Sequence, residues 1–184
     1  MNIKCSYCDN KSPLSQWKFY VDEIYHFFED KTICKKICSS IVCPICSVEI
    51  YPIEDEDSEL ILEFDEQGVL QNSEDIKEII EGKSVDIDDK LLYCPSCKKW
   101  KSFSDFTFTG NFIDSSELLV YGTYIDVSIP SEFMLIRGVK CDSCKHKISL
   151  EPIEVTYPLN EETKIELYKI LKNYSLKHFK IEEE

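Results

Sequence analysis

The chain has 184 residues, 43% of them apolar, which suffices for one folded domain or two small ones. Its formal net charge is −14, and nearly all of the excess lies in residues 51–90, where fifteen acids face three lysines. That balance repels a phosphate backbone at long range and argues against unaided, non-specific DNA binding. No stretch approaches the roughly 18 apolar residues of a membrane span, and the opening MNIKC holds no hydrophobic signal core. A soluble cytoplasmic protein, with reduced thiols and no membrane partner, is therefore expected.

In chain order, CSYC (5–8) is followed by a segment, 15–40, in which Tyr20, Ile24, Phe27, Cys34 and Cys38 recur at intervals of three, four and seven residues. This spacing predicts a helix, broken near Asp30 or Thr32. CPIC (43–46) comes next, then the acidic run IEDEDSELILEFDEQ, read either as a solvated linker or as an anionic contact surface. Within it ELILE (59–63) suggests a strand and Asp65 to Gly68 a turn; Ser73 is expected to cap a short helix that Gly82 ends. Beyond CPSC (94–97), residues 103–109, 118–129 and 133–140 are dense in aromatic and β-branched residues and read as strands. CDSC (141–144) closes this region. Asn160 then caps a C-terminal helix with an apolar stripe of Ile165, Leu167, Tyr168, Leu171 and Tyr174, and with Lys172, Lys177 and Lys180 late in it.

Eight of the ten cysteines thus form four Cys-x2-Cys pairs. Two thiolates from one tight turn can reach a single metal ion, and two such turns complete a tetrahedral four-sulfur shell that suits Zn²⁺. The expected ligands are Cys5, Cys8, Cys43 and Cys46 for one structural zinc, and Cys94, Cys97, Cys141 and Cys144 for a second. Cys34 and Cys38 leave two alternatives open: a local site with Cys43 and Cys46, or burial as small apolar groups. His146, two residues past Cys144, is expected at the surface, and His26 and His178 have no visible partners. The segments after the closing pairs, CPICSVEIYPIE (43–54) and CDSCKHKISLEPIE (141–154), both arrive at Pro-Ile-Glu, which suggests an internal duplication.

CSYC with CPIC, and CPSC with CDSC, resemble the paired knuckles of the zinc-ribbon group, in which two hairpin turns hold one zinc. The resemblance covers the sites and intervening strands, not the acidic middle or the last helix. It implies small antiparallel sheets, and modules that contact nucleic acid or protein. The expected architecture is α+β: two elaborated zinc-ribbon units with a helix inserted in the first and a C-terminal helix. The expected division is 1–54, an acidic connection at 55–90, and 91–184.

Function is less legible. A shell closed by four cysteines leaves no position for a catalytic water, and no HExxH, Walker A, GxGxxG or GxSxG motif is present. The expected role is a non-catalytic adaptor or regulator whose acidic surface binds a basic or nucleic-acid-associated protein. One form of it is an inhibitor imitating phosphate spacing through Glu54, Asp55, Glu56 and Asp57. A second expectation is nucleic-acid binding at the lysines around the second site (Lys98, Lys99, Lys101, Lys140, Lys145 and Lys147), with Trp100 for stacking. A third rests on LLYCPSCKKW, which resembles the active-site entry of glutaredoxin-like oxidoreductases: Cys94 would attack a disulfide and Cys97 resolve it. That fold requires a long helix after the motif, and FSDFTFTGNFI (103–113) reads as strand and turn.

Overall fold

A computed structural model describes residues 1–52, 59–113 and 133–178. The chain divides into two compact units, Met1–Val85 and Asp86–Glu184. It is α+β, with small antiparallel sheets and two helices.

The first unit opens with a hairpin of β1 (Asn2–Lys4) and β2 (Lys11–Pro13). A single 3-10 turn at Leu14–Gln16 leads to β3 (Lys18–Phe27), β4 (Thr32–Val42) and β5 (Glu49–Ile50), a sheet in the order β3-β4-β5. Residues 15–40 are therefore a long hairpin, not the helix predicted from their spacing. The apolar residues at three- and four-residue intervals coincide with a run of β-branched and aromatic residues, and strand pairing over ten registers satisfies the main chain without the buried stripe a helix needs. Where a helix break was expected, near Asp30, the chain turns, with Phe28 N–H donating to Lys31 C=O at 2.8 Å.

Residues 60–62 extend this sheet along β4: Cys38 N–H donates to Leu60 C=O at 2.9 Å, and Leu62 N–H to Lys36 C=O at 2.8 Å. The predicted turn follows. Gly68 sits at φ +80°, and the Asp65 carboxylate accepts from the N–H groups of Gln67 and Val69. The helix α1 (Ser73–Gly82) starts one residue earlier than expected, because Asn72 and not Ser73 is its N-cap residue. The Asn72 side chain is turned away from the helix, donating to Ile61 C=O and accepting from Glu63 N–H. Ile76 and Ile80 bury one face of α1, and Lys4 N–H donates to Glu81 at 2.8 Å, tying its end to β1.

The second unit repeats this order. A hairpin of β6 (Leu91–Cys94) and β7 (Lys99–Ser102) is followed by a 3-10 turn at Phe103–Asp105, then β8 (Phe106–Phe112), β9 (Phe133–Cys141) and β10 (Lys147–Thr156), in the order β8-β9-β10. The predicted strand at 118–129 lies outside the described residues. The helix α2 (Glu161–His178) is capped as expected, with Asn160 Oδ1 accepting from Thr163 N–H at 2.8 Å. Leu167, Tyr168 and Leu171 enter a core with Leu92, Phe103, Phe106, Ile136 and Val139, whereas Ile165 of the predicted stripe is exposed.

The duplication extends to register. In the first unit Tyr20 pairs with Ser40 and Val21 with Cys38, so Ser39 bulges; in the second Thr109 pairs with Gly138 and Gly110 with Ile136, so Arg137 bulges. Each bulge lies at the same distance from the flanking cysteines, and Trp17 and Phe106 each stand nine residues after a knuckle. Gly138 is required because a Cβ there would lie 2.7 Å from the Ile148 carbonyl oxygen of β10. Gly138→Ala is expected to lower stability by about 1–3 kcal/mol through overpacking, read as a shift in the denaturant midpoint.

Candidate metal centres

Each Cys-x2-Cys pair occupies a hairpin turn of one repeated form. The residue after the second cysteine donates its N–H to the carbonyl of the first: Asp9 to Cys5 (2.9 Å), Ser47 to Cys43 (3.0 Å), Lys98 to Cys94 (2.8 Å) and Lys145 to Cys141 (2.8 Å). These four are also the non-glycine residues at positive φ among the described residues, between 55° and 60°. The first cysteine's N–H closes the turn in three of them, donating to Asn10, Val48 and His146; in the other, Cys94 pairs with Lys99 in the β6–β7 ladder. This geometry turns both thiols of a pair toward one point. The left-handed residue costs side-chain strain that glycine would avoid, which is why the sequence, with Asp, Ser and two Lys there, carries no overt mark of it.

The turns meet in pairs. Cys5, Cys8, Cys43 and Cys46 bring four Sγ atoms within 4.8 Å of one another, and so do Cys94, Cys97, Cys141 and Cys144. Individual separations are 3.9 Å for Cys5 to Cys46, 3.6 Å for Cys94 to Cys144 and 3.8 Å for Cys97 to Cys141. Four metal–sulfur bonds of about 2.3 Å in a tetrahedron place sulfurs about 3.8 Å apart, whereas a disulfide needs about 2.05 Å. The described cysteines are all free thiols, so each quartet fits a metal ion, and the donor set suits zinc or iron.

Crowding splits the acidities of the thiols. Hydrogen bonds from Cys43 and then Cys46 hold Cys8 below the usual thiol range, while Cys46 is pushed up by its contacts with Cys43, Cys5 and Cys8. In the second quartet Cys97 lowers Cys144 to about 6, and the same contact raises Cys97 to about 12. One sulfur retains a proton so that its neighbours can ionise, and a cation takes that proton's place. Access differs too: Cys5, Cys8 and Cys43 are buried, whereas Cys144 is exposed.

The sequence left Cys34 and Cys38 open, and neither joins a quartet. Cys34 is exposed on β4; Cys38 is fully buried, donates to Ser40 C=O at 3.5 Å, and is pushed up to about 11 by burial. Its counterpart in the second unit is Ile136, also fully buried, so Cys38 fills an apolar position of the shared plan. His146 stands outside the second quartet, half-buried. The CPSC pair lies in a hairpin turn with β7 after it, and its thiols contact Cys144 and Cys141, an arrangement for ligation and not for a helix-activated nucleophile. Around that centre Lys98, Lys99, Lys145 and Lys147 are exposed, Lys101 Nζ donates to Ser143 Oγ at 2.8 Å, and Trp100 is half-buried, edge-on to Tyr93. Glu54 to Asp57 lie outside the described residues.

The first unit also holds a cavity of about 590 Å³, lined mainly by apolar groups including Trp17, Phe19, Leu62 and Leu70. No helix among the described residues is long and apolar enough to cross a membrane. No protein-family model, curated protein or solved structure matches the chain.

Native mass spectrometry is expected to find two metal ions per chain, one fewer after Cys43→Ser, and two after Cys34→Ser or Cys38→Val. Thiol protons compete with the metal, so apparent affinity should fall steadily from about pH 8 to about pH 6 in competition with a chromogenic chelator. Ser47→Gly should raise stability by about 1 kcal/mol by relieving the left-handed strain, measured by thermal unfolding of the metal-loaded protein.

Proposed function

We propose that the chain is a cytoplasmic zinc protein whose two centres are structural, and that it acts without catalysis, as an adaptor or regulator that offers an acidic surface to a partner protein. The observation that supports this reading is the convergence of four sulfurs at each of two points. With a metal ion bound, the chain's own sulfurs would fill all four positions of a tetrahedron and leave none for water or substrate. Zinc is favoured over iron because such a centre needs only geometry and charge, and a d¹⁰ ion supplies both without redox chemistry.

The acidic surface is supported in the first unit. Helix α1 buries Ile76 and Ile80 and exposes Glu74, Asp75, Glu78 and Glu81, and the segment before it exposes Glu59, Glu63 and Glu66. Charge of one sign on a folded face speeds encounter with a basic partner and excludes acidic ones. A basic groove that ordinarily holds nucleic acid is one such partner, which would make the chain a phosphate-mimicking inhibitor. A second reading rests on the exposed lysines around the second centre, which could meet a nucleic acid directly.

The test begins with metal analysis, where two zinc ions per chain support the reading and iron or no metal counts against it. Affinity purification with nuclease treatment then separates protein from nucleic-acid partners. Reversing Glu59, Glu66 and Glu78 to Lys is expected to weaken partner binding about tenfold or more at low salt, leaving zinc content and melting temperature unchanged. Unaltered affinity would exclude the acidic face.

A further inference from the structure

The outer part of the β3–β4 hairpin is exposed on both faces. Seven of the sixteen large apolar residues exposed among the described residues lie on it, Phe27 being 80% exposed. Such concentration on a two-stranded projection marks a contact surface, since isolated hairpins are marginal in water and monomers rarely expose large contiguous apolar patches. β3 is also the outer strand of its sheet. The Phe28 N–H to Lys31 C=O bond sets the alternation along the ladder: His26, Ile24 and Asp22 direct their main-chain groups at β4, while Val21, Glu23, Tyr25 and Phe27 direct theirs at the open edge. Those groups are a ready template for another strand.

The edge is complementary to itself when a second copy runs in the opposite direction. Centred on Ile24, the residues are Tyr20-Val21-Asp22-Glu23-Ile24-Tyr25-His26-Phe27-Phe28. An antiparallel copy placed about a two-fold axis at Ile24 sets Tyr20 against Phe28, Val21 against Phe27, Asp22 against His26 and Glu23 against Tyr25, with Ile24 facing itself. Each pair is favourable: aromatic with aromatic, aliphatic with aromatic, carboxylate with imidazole, carboxylate with phenol. Within one chain the Tyr25 hydroxyl already donates to Glu23 at 2.7 Å, so the chemistry of that pair is present on the strand. The alternation also fits: with Ile24 in a non-hydrogen-bonded pair, Glu23 exchanges main-chain hydrogen bonds with Tyr25 of the second copy, and Val21 with its Phe27.

We propose that two copies of this chain associate through β3, antiparallel about Ile24, to form a continuous sheet across the two-fold axis. The charge pattern favours a second copy over an unrelated strand, because the Asp22 and His26 pairing is satisfied in both directions by the same sequence. A C2 interface requires this self-complementarity.

Sedimentation equilibrium of the full, metal-loaded chain tests the proposal. The unaltered chain is expected to be dimeric. Ile24→Lys, which sets two like charges on the axis at an already exposed position, should weaken the dimer by about tenfold or more. Glu23→Pro, which removes an outward N–H while leaving the β3–β4 ladder its inward bonds, should do the same. Asp22→His alone should weaken the dimer, and Asp22→His with His26→Asp should restore it, which a general change in stability or charge would not do. Metal content and melting temperature of each variant confirm that it is folded. A chain that is monomeric up to its solubility limit overturns the proposal and leaves the edge to a strand of another protein. A dimer indifferent to Glu23→Pro and Ile24→Lys, or one that the swap fails to restore, also overturns it.

Discussion

Four sulfurs converging on one point is the constraint from which each unit is built. The hairpins β1–β2 and β6–β7 have strands of three and four residues, far too short to persist alone. Each is tied by its knuckle to a second knuckle 34 or 43 residues further on. Closing those loops costs chain entropy that the small cores offset only in part. A structural zinc contributes roughly 10–16 kcal/mol of apparent binding free energy that appears as folding free energy. The four left-handed residues persist because the turn that aims the thiols requires them.

The two units express one plan with different surfaces. Hairpin, single 3-10 turn, long strand, bulge, knuckle and return strand follow in the same order, and the bulges fall in the same register. Their divergences are local and physical. Cys38 stands where Ile136 does, both buried; Trp17 stands where Phe106 does, with its indole Nε1 buried and unpaired, so the position requires a ring and not the N–H. Ser40 stands where Gly138 does, its hydroxyl donating to Glu49 at 2.5 Å, while the longer β10 leaves no room for a Cβ. To this plan the first unit adds the acidic helix α1, and the second adds α2 and its lysine-rich knuckles.

In the function proposed above, recognition falls to those additions. A metal-closed turn is a rigid anchor with little chemistry of its own, so partner choice falls to what is built around it: carboxylates on one unit, ammonium groups on the other, and an apolar edge with its own inverted pattern. On the two proposals made above, the arrangement separates stability, held by sulfur and small cores, from binding, assigned to exposed charge and a strand edge.

Much of the site was legible in the sequence because ligand spacing is local: two residues between cysteines describe a turn, and a pair of such turns describes a shell. The capped helix after Asn160 and the turn at Asp65 to Gly68 were legible for the same reason, each being set within a few residues by side-chain hydrogen bonds or glycine's freedom. The segment 15–40 was misread because three- and four-residue apolar spacing is shared by helices and by strands with both faces in use, and pairing between residues up to 24 positions apart decided for strands. The fate of Cys34 and Cys38 was likewise beyond sequence reasoning: which sulfurs share a metal depends on which hairpins meet, and the bulge at Ser39 on β4 is invisible without the partner strand. Spacing thus singled out eight thiols able to share metal ions; only the tertiary fold decided which elements present them, since strand pairing is long-range and a turn's geometry is not.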